Sequence, residues 1–368
     1  MFPLAMHMAN ELLSIPVAAA TLALGAAIVA VAAAVAGRTL NPERLPLMGV
    51  IGAFVFAAQM INFTLPGMPG TSGHLGGGVL LAVVLGPAAG IVTMAAILIV
   101  QCLLFQDGGV LALGCNIINM GLVPCLAGWG LYRLLLGSAW KVSPWRQYLS
   151  VWVACMVGVT AGAALVPIQA KISGVMQIPL SHFLVVMVGV HLLIGLFEGL
   201  ITFAVIAYLR LARPAALGLA GAHPGRRRLG RGSVIVSVLL TAVLVAGAVS
   251  WFASTQPDGL EWSYLVRGYG QAESALKEPS GAVTGANDWQ SKWSLMPDYK
   301  KRAAPLGAAA AEPEEAAESD EAGWPAIDGW VSVAGLLGTA VTLAIVYLAA
   351  VLLRKRRRRA GLATGSRP

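Results

Sequence analysis

Charge is scarce in this chain, and so are the motifs that charge usually builds. Of 368 residues only 11% are Asp, Glu, Lys or Arg, whereas 57% are hydrophobic and run in long blocks instead of alternating at helical or strand period. Such a composition excludes a soluble core and belongs to a membrane protein. There is no CxxC pair, and Cys102, Cys115, Cys125 and Cys155 all lie in or beside apolar blocks, which reads as small buried side chains. The chain also lacks a Ser-His-Asp order, an HExxH helix, paired intramembrane carboxylates and a Walker sequence. Glu198 is the one acid inside an apolar span. An ion-coupled carrier needs more buried charge than that and an ATP-driven pump needs a nucleotide site, so a transport role would draw its energy from another polypeptide.

The formal net charge of +8 does not signal nucleic acid. Arg226, Arg227, Arg228 and Arg231, and the run from Arg354 through Arg359, flank apolar spans and carry no interleaved aromatics for base stacking. They follow the positive-inside pattern of cytoplasmic loops and suit anionic lipid headgroups. Residues 1–5 have no basic n-region, and the apolar stretch after them is long enough to span, so no cleavable signal peptide is expected.

Apolar stretches of spanning length cover residues 12–36, 45–63, 87–105, 110–136, 148–170, 182–211, 233–253 and 327–353. A crossing needs roughly 20 residues, which leaves 75–85 short. Loop charge decides that case. Arg38, Arg44, Arg133, Lys141 and Arg146 all belong in the cytoplasm, and the loops at 64–73 and Asp107 hold no basic residue. An odd number of crossings between Thr64 and Arg133 is then required, so 75–85 is predicted to be a short or broken crossing surrounded by protein. The fold class that results is an all-α integral membrane protein, a bundle of about seven helices followed by two C-terminal transmembrane helices that flank an extracytoplasmic loop.

The expected organisation is a metal-binding transmembrane domain at 1–211, a basic cytoplasmic linker at 212–232, and a companion region at 233–368. The companion's loop, 254–326, contains an acidic tract at 312–321 that is expected to be disordered. The expected location is the inner (cytoplasmic) membrane, with the amino terminus external and the carboxyl terminus cytoplasmic.

Within this apolar background His7 and His74 stand out, because helix parity puts them on one membrane face. If Met6 is the first residue, its amine, the His7 amide nitrogen and the His7 ring nitrogen can chelate one metal ion in fused five- and six-membered rings. His74, set among Gly70, Gly73, Gly76, Gly77 and Gly78, can supply a fourth nitrogen. Four nitrogens in a plane suit Ni(II) or Cu(II), and can hold Co(II), better than they suit tetrahedral zinc. Asn62, Ser72, Asn116 and Asn119 are candidates to orient the imidazoles, or else to bond between helices. His191 and Glu198, seven residues apart, share a helix face and are expected to be a structural pair or a subunit contact. His182 forms no catalytic arrangement with them, and His223 lies in the basic loop.

Several runs resemble one family. These are Met6-His7-Met8-Ala9-Asn10-Glu11, Gln59-Met60-Ile61-Asn62-Phe63, Gly70-Thr71-Ser72-Gly73-His74-Leu75, Gln101 to Gly109 with Asn116 and Asn119, and His191 to Thr202. They are similar to the substrate-binding membrane subunit of cobalt and nickel energy-coupling-factor transporters, the CbiM/NikM type. Pro257-Asp258-Gly259-Leu260-Glu261 with its two flanking helices resembles the small companion subunit of that system, fused on. The resemblance implies capture of Ni(II) or Co(II) as substrate by Met6, His7 and His74, and no resident cofactor. It also implies a transmembrane coupling subunit and cytoplasmic ATPase subunits as partners. In the family the Met-His pair opens the chain, whereas Met1-Phe2-Pro3-Leu4-Ala5 precedes it here. The expectation is a true start at Met6, which the mass of the native protein tests. The competing classes are a membrane-embedded metalloenzyme, for which Glu11 is the nearest carboxylate, and a metal-sensing membrane protein. Residue chemistry does not choose nickel over cobalt.

Overall fold

The computed structural model describes residues 7–41, 44–137, 143–217, 229–263, 276–303, 305–308, 325 and 327–363. Met6, the Arg226 to Arg228 run, His223 and the acidic tract lie outside the described residues. Among those described, six helices are long and apolar enough to cross a membrane, and two shorter apolar helices accompany them.

Helix α1 (Ile15–Thr39) begins behind Ser14 with Pro16 in its first turn, where a fixed φ and a missing N–H cost nothing. Its buried stripe consists of Ala18, Gly25, Ala32, Ala36 and Gly37, while Leu24 and Val31 face outward. Small residues let backbones approach closely, and a Cβ on Gly25 would sit 3.1 Å from the Gly114 Cα. Helix α2 (Leu45–Gln59) is buried along almost its whole length and carries Phe54 and Phe56 into the core.

After α2 the chain forms a small antiparallel pair, β1 (Phe63–Thr64) with β2 (Ser72–Gly73), in the register Phe63 to Gly73 and Thr64 to Ser72. Apolar span 45–63 therefore ends as helix at Gln59, and its last residues turn into this ladder. Helix α3 (Gly78–Leu85) has eight residues, all of them buried. Gly86, with φ of 91°, breaks the chain before Pro87 restarts it as α4 (Pro87–Phe105). Helix α5 (Leu113–Leu136) is wound in π fashion at Ile117–Leu122 and Pro124–Gly128. Helices α6 (Pro144–Ser173) and α7 (Leu180–Ala212) form a long pair, with Gly195 close against the backbone of Met156.

The companion helices α8 (Arg231–Gly247) and α10 (Gly329–Ala363) both pack on α2. Gly49 of α2 admits Leu343, and Gly335 of α10 meets the Ala246 carbonyl of α8. Between them the loop 254–326 is not simply a linker, since it folds into helix α9 (Gly281–Trp293) and a tight turn at Pro297–Tyr299. Both of these dock beside the start of α1 and the end of α4.

Candidate metal centre

The segment before α1, the turn after α4, the glycine-rich loop before α3 and the early turns of α7 come together around one cavity of about 80 Å³. A water needs roughly 10–15 Å³ by this measure, so there is room for a metal ion and a few waters. His7, His74, Asn116, His191 and Asp258 contribute polar groups to its lining, and Met187 and Ile194 contribute apolar ones.

His7 is 3% exposed and is fixed at both its main chain and its ring. The Met8 N–H donates to Asn116 Oδ1 at 3.1 Å, and Asn116 Nδ2 donates back to the Met8 carbonyl at 3.2 Å. Nδ1 of the His7 ring lies 2.8 Å from Asp107 Oδ1, and Nε2 is buried without a protein partner. Asp107 in turn accepts from the Tyr299 hydroxyl through Oδ2 at 2.7 Å. Burial alone would raise the Asp107 carboxyl. The His7 ring, the hydrogen bonds from His7 and Tyr299, and the nearby His74 outweigh it and hold that carboxyl below its usual range.

His74 arrives from 67 residues further along, and its ring centroid lies 5.3 Å from that of His7 at an interplanar angle of 69°. Its loop is clamped at the next glycine. Gly76 N–H donates to Glu198 Oε2 at 2.7 Å, and Gly76 C=O accepts from Gln59 Nε2 at 2.8 Å. Gln59 is itself held by Gln101 at 3.0 Å. Glycine is required here, because a Cβ on Gly76 would come within 2.9 Å of Glu198, and Gly77 adopts a φ of 78° against Val55.

The structure thus brings His7 and His74 together, as the sequence suggested, but it distributes the supporting roles differently. Asn116 grips the main chain beside His7, not the ring. Ser72 turns its hydroxyl to the Gln256 carbonyl at 2.8 Å and so holds the companion loop. Asn119 pairs with Gln169 at 2.8 and 2.9 Å and ties α5 to α6. Asn62 offers its main-chain carbonyl to Ser254 N–H at 2.7 Å. His191 and Glu198 do not pair with each other, since His191 Nδ1 meets the Met187 carbonyl at 2.8 Å and Glu198 serves the glycine loop. Glu11 accepts from Asn287 of α9 at 2.5 Å and is not among the cavity's lining residues.

The expected chelate needs Nδ1 of His7, the nitrogen that closes a six-membered ring with its own amide. In this structure Asp107 occupies that nitrogen. Among the described residues no three His, Cys, Asp or Glu side chains are gathered closely enough to hold a metal ion by themselves. Any such site would need donors beyond those side chains, such as main-chain nitrogens, carbonyls or water.

The groups that sequence reading missed come from far away along the chain. Besides Tyr299, Gln290 of α9 donates to the Gly108 carbonyl at 2.7 Å and accepts from Val110 N–H at 3.1 Å, which fixes the Asp107 turn. Only the pentapeptide at Pro257 gave a local signal. Its Pro257 carbonyl accepts from Ser72 N–H at 2.9 Å and brings Asp258 and Leu260 into the cavity wall.

The described residues form a multi-pass helical bundle in which the imidazoles of His7, His74 and His191 line one small cavity. The chain belongs to the family of cobalt uptake substrate-specific transmembrane regions, which it matches over residues 7–216, and a PDGLE domain follows at 232–355. It is similar to a putative fused nickel transport protein NikMN of Archaeoglobus fulgidus, with 36% identity over 211 residues, 57% of this chain and 67% of that protein. It is also similar to the fused nickel transport protein NikMN of Rhodobacter capsulatus, with 29% identity over 289 residues, 73% of this chain and 82% of that one. A crystal structure of a transition metal transporter is 31% identical and matches with a TM-score of 0.48, covering 55% of this chain and 92% of its own.

Proposed function

We propose that this transport protein is the specificity subunit of an ATP-driven importer and captures Ni(II) or Co(II) on the external face of the membrane. The donors are the imidazoles of His7 and His74, with the main-chain nitrogens of Met6 and His7 in a chain that starts at Met6. The observation that carries this reading is the convergence of the two rings, 67 residues apart in sequence, on one small buried cavity. Capture through the chelate replaces Asp107 by the metal on Nδ1, so the empty site keeps that nitrogen paired until the ion arrives. A transmembrane coupling subunit and cytoplasmic ATPases supply the energy, and the subunit itself catalyses no reaction.

The test is uptake of radioactive nickel and cobalt by cells that express the chain with its coupling and ATPase subunits. His7→Ala and His74→Ala are each expected to abolish uptake while leaving the protein in the membrane. Unchanged uptake in both variants would remove the proposal.

A further inference from the structure

Imidazoles and an amine are neutral donors, and of the chelate only the His7 amide, deprotonated on coordination, offsets one charge, so a dication held there brings net positive charge into a partly enclosed cavity. Burying such a charge is costly unless opposite charge lies nearby. Asp107, which the metal displaces from His7, stays bonded to the Tyr299 hydroxyl and is not among the cavity's lining residues. Among the described residues the carboxylate that lines the cavity is that of Asp258, which is 4% exposed and is carried by the companion region.

Its position is fixed by three contacts. Ser72, two residues before His74, holds Gln256 and Pro257 through its hydroxyl and its N–H. Gly259 presses against α7 so closely that a Cβ would lie 2.2 Å from Val190 and 3.7 Å from the His191 ring. Asp258 Oδ1 caps the single turn at Gly259–Glu261 by accepting from Glu261 N–H at 2.8 Å. The cap explains a polar oxygen here but not a carboxylate, because Asn and Ser cap as well. In the empty site the negative charge is a liability. Burial first, and then the Glu261 carboxylate, push the Asp258 carboxyl well above its usual range. A group that the fold does not need, and that costs free energy without a cation, fits a cavity built to receive one.

We propose that Asp258 is the counter-charge of the capture cavity, so that the companion region contributes a binding residue for the divalent ion. This rests on the capture reading above, and the experiment separates the two. Ni(II) and Co(II) binding to the purified full chain in detergent is measured by calorimetry, with His74→Ala as the reference for loss of the site. Asp258→Asn and Asp258→Ser keep the cap and remove the charge. Both are expected to weaken binding about tenfold or more, with a metal-free thermal unfolding midpoint no lower than that of the wild type, whereas His74→Ala abolishes binding. Wild-type affinity within twofold in both Asp258→Asn and Asp258→Ser, with His74→Ala inactive, overturns this proposal and leaves the capture reading standing. A loss confined to Asp258→Ala assigns the residue to the cap and overturns it too. A His74→Ala protein that binds Ni(II) like the wild type overturns the capture reading itself.

Discussion

Replacing Tyr299 by Phe isolates a single hydroxyl at the junction between the companion loop and the metal centre. The ring stays, stacked on Phe105 at a centroid distance of 4.7 Å and an interplanar angle of 17°. Such a stack contributes about 0.5–1.5 kcal/mol beyond its buried area, and the variant keeps it. What is lost is a hydrogen bond of 2.7 Å to a carboxylate that is 4% exposed. Hydrogen bonds to charged groups are worth about 1.5–3 kcal/mol, and Asp107 Oδ2 would be left without this donor in a buried place, which favours the upper part of that range. The hydroxyl therefore outweighs the stack. The backbone agrees, because Asp298 and Tyr299 both adopt left-handed conformations, with φ of 51° and 60°, and something must hold them there. At about 1.4 kcal/mol per decade, local opening of this turn should become roughly ten- to a hundredfold more frequent. Hydrogen exchange read by mass spectrometry on the full chain in nanodiscs measures that directly. Protection should fall by this factor in peptides covering residues 296–303, and to a smaller extent in 7–13. Protection within twofold of the wild type in both stretches would refute the reasoning, since the docking would then not depend on the hydroxyl.

Two further outcomes are expected. Gly259→Ala places a methyl 2.2 Å from Val190 Cγ1, an overpacking that costs about 1–3 kcal/mol, so exchange near Ser72 and Asp258 should rise. Val190→Ala in the same chain should restore part of the protection, and a double variant no better than Gly259→Ala would contradict the close approach. Burial first, and then the charges of Asp298 and Asp107, push the Glu261 carboxyl up to about 7 from an ordinary 4.5, against the hydrogen bond at Asp258. A raised carboxyl keeps its proton in the folded state where the unfolded chain has lost it, so stability falls as pH rises from about 4.5 to about 7 and levels off above. Thermal unfolding followed across that window should show the decline in the wild type and a flatter profile in Glu261→Gln; parallel profiles would exclude Glu261 as the cause.

How much of this was legible beforehand depended on whether the signal was local. The spans were, because a crossing is announced by a continuous apolar block. The short α3 was legible through loop charge alone. Its eight residues carry too little length to declare themselves, and the basic residues Arg44 and Arg133 were the ground for expecting a short element between them. His7 and His74 were conspicuous as ionisable groups at apolar boundaries. The support around them was not. Asp107 lies 100 residues from His7 and Tyr299 lies 192 residues from Asp107, and no periodicity connects them. Polar side chains near a site also invite too direct a reading. Ser72 and Asn116 were candidates either to orient imidazoles or to bond between helices, and in the fold a short hydroxyl or amide satisfies the nearest unpaired main-chain group, at Gln256 and Met8. The helix in the loop before α10 is held by side chains such as Asn287 and Gln290, whose partners lie on another segment.

The docking of that loop has a consequence for stoichiometry. Pro257, Gln290 and Tyr299 reach the metal centre from a region tethered between α8 and α10, both of which pack on α2. A tethered group meets its site at an effective concentration set by the length of the tether and not by how many copies the membrane holds. Each molecule therefore carries its own copy of these supports, and dilution in the bilayer, uneven expression or competition among copies does not separate them from the cavity.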